Sequence, residues 1–237
     1  MIEGIEDICA SLSLKTGISR EKLIEEAALL HNLAEISSLL ENKFVLFGGT
    51  ALNAFHFGKS QRLSFDIDIK AGNFGETLKL LKKKYPLKLK ARKFYVLEGE
   101  HGVKIDLSTE YLKEKPGLIG PNSIFHLQGH PIYNFRVPVY SFETLFAEKT
   151  LALASRGTAR DLYDVWVAMS MEYDEEAYLK KLIKRADKTR TDPRIIITSH
   201  HHVDTDMGKI DSMLPNLDGK RMYAEVQGFI KELFFEG

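Results

Sequence analysis

Apolar residues recur at helical spacing from Leu23 to Leu40, at Leu23, Ile24, Ala27, Leu30, Leu33, Ile36 and Leu40. That stripe predicts a long amphipathic helix. Ser19 stands at its N-cap position, and Glu21 falls in the first turn, where an acid suits the positive end of the helix dipole. Lys22 occupies the place where a capping box needs Glu or Gln, but Ile18 and Leu23 have the spacing of a hydrophobic staple. The pattern then changes period. FVLF, from Phe44 to Phe47, is a short apolar strand. Two glycines break it, TALNAFHFG predicts a helix, and LSFDIDIKA predicts a second strand. FGETLKLLKKKYP predicts a helix stopped by Pro86. LKLKARKFYVLEG and GVKIDLSTE predict a hairpin closed by a glycine-containing turn. Between Glu110 and Val139 stand Pro116, Gly117, Gly120, Pro121, Gly129, Pro131 and Pro138. This is loop chemistry with short strands at most, ending in the strand IYNFRVPVY.

From Ser141 the period is helical. SFETLFAEKTLALASRG, ARDLYDVWVAMSM, EEAYLKKLIKRAD and MYAEVQGFIKELFF predict four helices. The expected fold class is therefore α+β. A mixed-sheet domain with N-terminal and flanking helices would span residues 1–140, and a helical C-terminal domain 141–237. There is no internal repeat and no low-complexity tract.

Composition narrows the class. The 237 residues are 44% hydrophobic and 28% charged, with a formal net charge of zero. These values are ordinary for a globular protein, and bulk charge points to no nucleic-acid or membrane partner. The single cysteine, Cys9, excludes an intrachain disulfide framework and reads as a small buried hydrophobe. MIEGIEDICASLSLK carries acids and lacks a signal peptide's apolar stretch. No run approaches the about 20 apolar residues of a membrane span, so no membrane partner and a cytoplasmic location are expected. LKTGISREKL has the outline of a helix-turn-helix, but one short stretch without context reads better as a packing helix.

Three stretches carry candidate chemistry. A strand, Gly48-Gly49 and then a helix leave backbone N–H groups exposed at a positive helix end. Glycine there lets a phosphate come close, and Thr50 adds a hydroxyl. In DID, strand alternation puts Asp66 and Asp68 on one face. Two adjacent carboxylates repel unless a cation lies between them, and magnesium suits carboxylate and phosphate oxygens. In GVKIDLS, Lys104, Asp106 and Ser108 share a face opposite Val103, Ile105 and Leu107. If this strand neighbours DID, Asp106 adds a third carboxylate, and three can hold two metal ions. Each motif also has a plainer reading: a geometric glycine turn, or an exposed strand face.

GGTALN, RLSFDIDI and EKTLALASRGTARDLYDVWV, together and in that order, resemble the AbiEii/AbiGii toxin family. That family belongs to the DNA polymerase beta-like nucleotidyltransferase superfamily. The resemblance covers roughly residues 20 to 170 and fades after about residue 172. It implies a nucleotidyltransferase-type sheet domain and two Mg²⁺ ions on Asp66, Asp68 and Asp106. It also implies a nucleoside triphosphate held by Gly48, Gly49 and Thr50, and a site completed by Lys149 and Asp161. Arg62 and Ser64 lead into the DID strand, where Arg62 could reach a phosphate. Asp164, on the same helix face as Asp161, is its alternative. Lys149 also reads as a rim lysine, Asp161 as a first-turn acid, and Tyr163 and Trp166 as core. Sixteen residues separate Gly49 from Asp66, longer than in compact members of the superfamily, with the extra turn in FHFGKSQ.

The implied reaction is attack of an acceptor hydroxyl on the α-phosphate of the triphosphate. The resemblance favours tRNA as acceptor and a cognate antitoxin as partner. Eight basic residues and no acid lie between Lys79 and Lys93, followed by Phe94 and Tyr95. They could track a phosphate backbone and stack on a base. A small-molecule or protein acceptor, and a non-catalytic nucleotide- or partner-binding member, stay open. SHHHVDTDMG places His200 and His202 on one face if extended, but lacks the spacing of a structural zinc site and reads as a polar loop.

Overall fold

The computed structural model describes residues 3–91, 94–109, 114–198, 203–212 and 214–236. The chain divides into two compact units, Met1–Tyr140 and Ser141–Gly237.

The first unit starts with a helix that the sequence reading passed over, α1 (Ile5–Thr16). Its signals are short: Ile5, Cys9 and Leu12 on one face, and Gly17 ending it at φ 74°. Cys9 is fully buried there, and burial pushes its thiol up to about 11. The predicted long helix follows as α2 (Arg20–Leu39), with the Ser19 side chain accepting from the Lys22 N–H. Leu23, Ala27, Leu30, Leu33 and Ile36 are all fully buried. So are Ala28, Leu29 and Asn32, on other faces of the helix, to within one per cent. The helix is thus packed on several sides, with Arg20, Glu21 and Glu25 exposed at its start.

Among the described residues, seven strands make one mixed sheet: β1 (Val45–Phe47), β2 (Asp66–Lys70), β3 (Leu87–Lys90), β4 (Phe94–Glu98), β5 (Lys104–Ser108), β6 (Gly117–Ile119) and β7 (Val137–Val139). Their order is β3-β4-β5-β2-β1-β7-β6. β2 and β5 are parallel, as are β1 and β7, while the other neighbours are antiparallel. The run LKLKARKFYVLEG, read as one arm of a hairpin, is two strands. β3 turns back on β4, which turns back on β5, and a register shift between Leu87 and Leu89 marks an irregularity in the first pairing. The strand expected over IYNFRVPVY is shorter, at Val137–Val139, and the Pro- and Gly-rich stretch before it also holds β6 and α5 (Ile124–Leu127). Proline has no N–H to give a ladder, which keeps these pieces short. α3 (Gly48–Phe55) packs along β1 and β2, and α4 (Phe74–Leu81) contacts α2.

Alternation gives the sheet two distinct faces. Ile67, Ile69, Leu97, Ile105 and Leu107 have no exposed surface and form the core side. Asp66, Asp68, Lys104 and Asp106 stand on the other side.

The second unit is helical: α6 (Phe142–Arg156), α7 (Ala159–Met169), α8 (Glu175–Thr189), the short α9 (Ile195–Thr198) and α10 (Gly219–Lys231). Ser141, Thr158, Asp174 and Asp218 cap four of them with their side chains. Phe146 stacks on Tyr178 with centroids 4.2 Å apart, and Tyr163 is fully buried. Among the described residues, no helix is long and apolar enough to cross a membrane.

Candidate active site

Register brings the three predicted carboxylates together. In the parallel pairing of β2 with β5, Asp66 faces Lys104 and Asp68 faces Asp106. Paired residues on neighbouring strands lie about 5 Å apart, so all three carboxylates share one patch. One oxygen of Asp106, Oδ2, contacts the Lys104 ammonium, while Oδ1 is buried without a hydrogen-bond partner. Burial alone would lower the Lys104 pKa. The hydrogen bond to Asp106 and the charges of Asp106, Asp66 and Asp68 overcome that and raise it. One ammonium therefore lies within electrostatic reach of all three acids. Lys70 stands on the same face with its ammonium 4.0 Å from the Phe47 ring centre.

The glycine turn abuts this patch. β1 runs antiparallel to β2 with Phe47 opposite Asp68, and Gly48 follows at once. Gly48 has φ 76°, and a Cβ added to it would lie 2.2 Å from Asp68 Oδ2. Both facts demand glycine. α3 begins here, beside the carboxylates, with no side-chain cap, and the first N–H groups of a helix have no partner within it. The Gly48→Ala variant is expected to lose about 1–3 kcal/mol of stability. The methyl group would also displace the Asp68 carboxylate. A thermal melt checks the loss of stability, and a wild-type melting temperature would refute it.

The remaining predicted residues hold the strand in place. The Thr50 hydroxyl, expected to face a phosphate, instead donates to the Asp66 carbonyl at 2.5 Å. Asn53 accepts from the Arg62 N–H at 2.8 Å and donates to the Gly49 carbonyl at 2.9 Å, tying the glycine turn to the strand approach. Arg62 is 4% exposed and its guanidinium donates to the Leu63 carbonyl. Ser64 is buried, and its N–H donates to Glu26 on α2. Burial pushes the Glu26 carboxyl up to about 7, against the opposing pull of the Ser64 N–H and the Arg62 charge.

Lys149, Asp161 and Asp164 form a cluster inside the second unit. The Lys149 ammonium lies 3.1 Å from Asp161 Oδ1 and 2.8 Å from Asp164 Oδ2. Asp161 also accepts from Arg156 through both oxygens, at 2.6 and 2.7 Å, and from the Thr158 hydroxyl at 2.7 Å. Burial would raise the Asp161 pKa, but the Arg156 hydrogen bonds, the Lys149 charge and Thr158 hold it well below the usual carboxylate range. Asp161 and its alternative Asp164 thus grip the same lysine.

The sequence profile of the family described as nucleotidyl transferase AbiEii toxin, of a type IV toxin–antitoxin system, matches residues 33–86 and 83–235. The chain belongs to the AbiEii nucleotidyltransferase family. No curated protein matches it in sequence. Among solved structures, MenT4, a nucleotidyltransferase toxin from Mycobacterium tuberculosis H37Rv, superposes with a TM-score of 0.72 at 17% identity, covering 97% of this chain and 89% of that one. JHP933 from Helicobacter pylori gives a TM-score of 0.51 at 16% identity, over 92% and 94% of the two chains. A putative nucleotidyltransferase from H. pylori gives the same score and identity, over 92% and 97%. At these identities the likeness is one of fold, and the fold is that of nucleotidyltransferase toxins.

In this AbiEii-family chain, β4 extends the patch. Phe94 lies opposite Ser108 and Val96 opposite Asp106, so both are on the carboxylate face, and Phe94 is 41% exposed. Tyr95 points the other way, its ring 5.1 Å from that of Phe74. In the basic stretch Lys84 pairs with Glu35, Lys88 pairs with Glu98, and Arg92 and Lys93 lie outside the described residues. The histidines His200 to His202 also lie outside them. Lys104 and Asn53 are the site-building residues whose parts the sequence reading did not foresee. Lys104 was legible as a same-face neighbour of Asp106, but its pairing needed the register.

Proposed function

We propose that this AbiEii-family chain transfers a nucleoside monophosphate from a nucleoside triphosphate to a hydroxyl of a tRNA, with Mg²⁺ held by Asp66, Asp68 and Asp106. The supporting observation is the single patch that combines three carboxylates with the uncapped start of α3. The donor set is all oxygen, as magnesium prefers. The buried, partnerless Asp106 Oδ1 is a lone pair that a cation would satisfy.

In the reaction the acceptor oxygen bonds to the α-phosphorus, the bond to the bridging oxygen breaks, and pyrophosphate leaves. The metal, when bound, supplies neutralisation of the triphosphate and makes the acceptor hydroxyl more acidic. The chain supplies position. The N–H groups of Gly48, Gly49 and Thr50 hold phosphate oxygens. Asp106 helps take the acceptor's proton, the part that the family resemblance implies for it. Phe94 offers a base-stacking surface on the same face. Arg62 and Ser64 support the approach to Asp66, and Lys149 and Asp161 keep the roles that the family resemblance implies. A cognate antitoxin belongs to this reading, as does action in the cytoplasm.

The test is incubation with Mg²⁺, total tRNA and each α-³²P-labelled nucleoside triphosphate in turn. Label in tRNA, lost on adding EDTA, is expected. Label only on protein or a small molecule would refute the tRNA acceptor. Intact nucleotide binding with no transfer to anything would refute the enzyme reading.

A further inference from the structure

The nucleotidyltransferase reading leaves Lys104, on the carboxylate face, without a task. Lys104 precedes Asp106 by two residues on β5, so both side chains leave the same side of the strand. Its ammonium contacts Asp106 Oδ2, and across the ladder it faces Asp66. The Lys104 side chain is 50% exposed, against 20% for Asp106. A flexible four-carbon stem of that exposure can turn into solvent at little cost.

We propose that Lys104 is a resident counter-ion whose charge opposes a divalent cation at Asp106 and so sets how tightly the carboxylate face holds metal. The inference rests on the metal-dependent reading above and deepens it. A residue that helps a metal ligand holds the carboxylate from behind, away from the ion. Lys104 instead shares the face of the three carboxylates, and its charge has the ion's sign. Without metal it neutralises part of a three-carboxylate patch. Metal on the open Oδ1 meets that charge on the other oxygen of the same carboxylate, which weakens binding of the bare ion. A triphosphate brings its own negative charge, so metal arriving with nucleotide meets less opposition. Lys104 thereby makes metal loading depend on nucleotide.

Mn²⁺ alone is the probe, with free ion measured by electron paramagnetic resonance at low ionic strength. Relative to wild type, Lys104→Gln is expected to bind Mn²⁺ roughly tenfold more tightly, since a neighbouring positive charge has gone. Lys104→Arg, which keeps the charge, should stay near wild type. Lys82→Gln, an exposed lysine just past α4, controls for the change in net charge and should not move the affinity. Unchanged or weaker binding in Lys104→Gln overturns the proposal, as does tighter binding in Lys104→Arg. If Asp68→Asn binds Mn²⁺ as well as wild type, the metal site itself is wrong and the proposal goes with it. An Asp68-dependent site indifferent to Lys104 overturns the counter-ion role alone.

Discussion

Asp68→Asn is expected to cut nucleotide transfer roughly a thousandfold while leaving the fold intact. Asp68 is the most constrained of the three acids. It faces Asp106 across the β2–β5 ladder and Phe47 across the β1–β2 ladder, and its Oδ2 fills the space a Gly48 side chain would need. Asparagine has nearly the same shape, so the contact with Gly48 survives. What is lost is one negative charge from a patch that must hold a divalent cation. A thousandfold corresponds to about 4 kcal/mol of transition-state stabilisation, a reasonable share for one metal-binding carboxylate. Stability should hold or rise slightly, because one of several repelling charges is removed. Single-turnover label transfer and a thermal melt on one preparation give both answers. Activity within tenfold of wild type would remove Asp68 from the reaction.

The largest effect on stability is expected at Asp161, in the second unit. Asp161→Ala should destabilise that unit by about 2–4 kcal/mol, the cost of losing a buried carboxylate held by charge-assisted hydrogen bonds. The carboxylate receives four hydrogen bonds from Lys149, Arg156 and Thr158, and neither it nor Asp164 has any exposed side-chain surface. Removing it leaves Lys149 with Asp164 alone and takes away the partner of the α7 cap. Trp166 is the only tryptophan and lies on α7, its indole N–H donating to Glu225 at 2.7 Å. Its fluorescence during urea unfolding therefore reports this unit. The pH dependence is a second check. The folded carboxyl holds its proton less tightly than the unfolded one. Asp161 therefore adds stability above about pH 4, and that stability fades as the pH falls below it. The alanine variant should lack this acid-side decline. A loss under 1 kcal/mol, with the decline intact, would show that the cluster is not held by Asp161.

Much of this was legible because the site is local in sequence. Gly48-Gly49 sits at a period change, and parity in DID and in KID put the acids on one face without any tertiary knowledge. What parity could not supply was the neighbour relation. That β5 lies beside β2, with Asp68 opposite Asp106, is a long-range pairing decided by the whole sheet. The same holds for Lys104: its place on the face was readable, its partners were not. Arg62 shows the opposite failure. An arginine just before an acidic strand suggests a phosphate contact, yet a buried arginine bracing its own loop has the same local sequence. α1 escaped notice because three apolar residues on one face are a weak signal beside a long helix. In the second unit, Lys149 and RDLYD were visible, but not that both aspartates of RDLYD hold the same lysine.

The two ends of the sheet bear on how the protein behaves in a crowded cell. An open sheet ends in strands with unpaired backbone groups, which can recruit strands from other molecules. Here β3 forms one end and β6 the other. All four residues of β3 are exposed, and Lys88 and Lys90 alternate with Leu87 and Leu89 along it. A second copy of this strand would have to bury those ammonium groups against its own. β6 is only three residues long, with Pro116 before it and Pro121 just after. Neither end offers a long flat apolar template. The lysines read first as a track for nucleic acid thus also keep the sheet from growing into its neighbours, and replacing them with β-branched residues would invite aggregation.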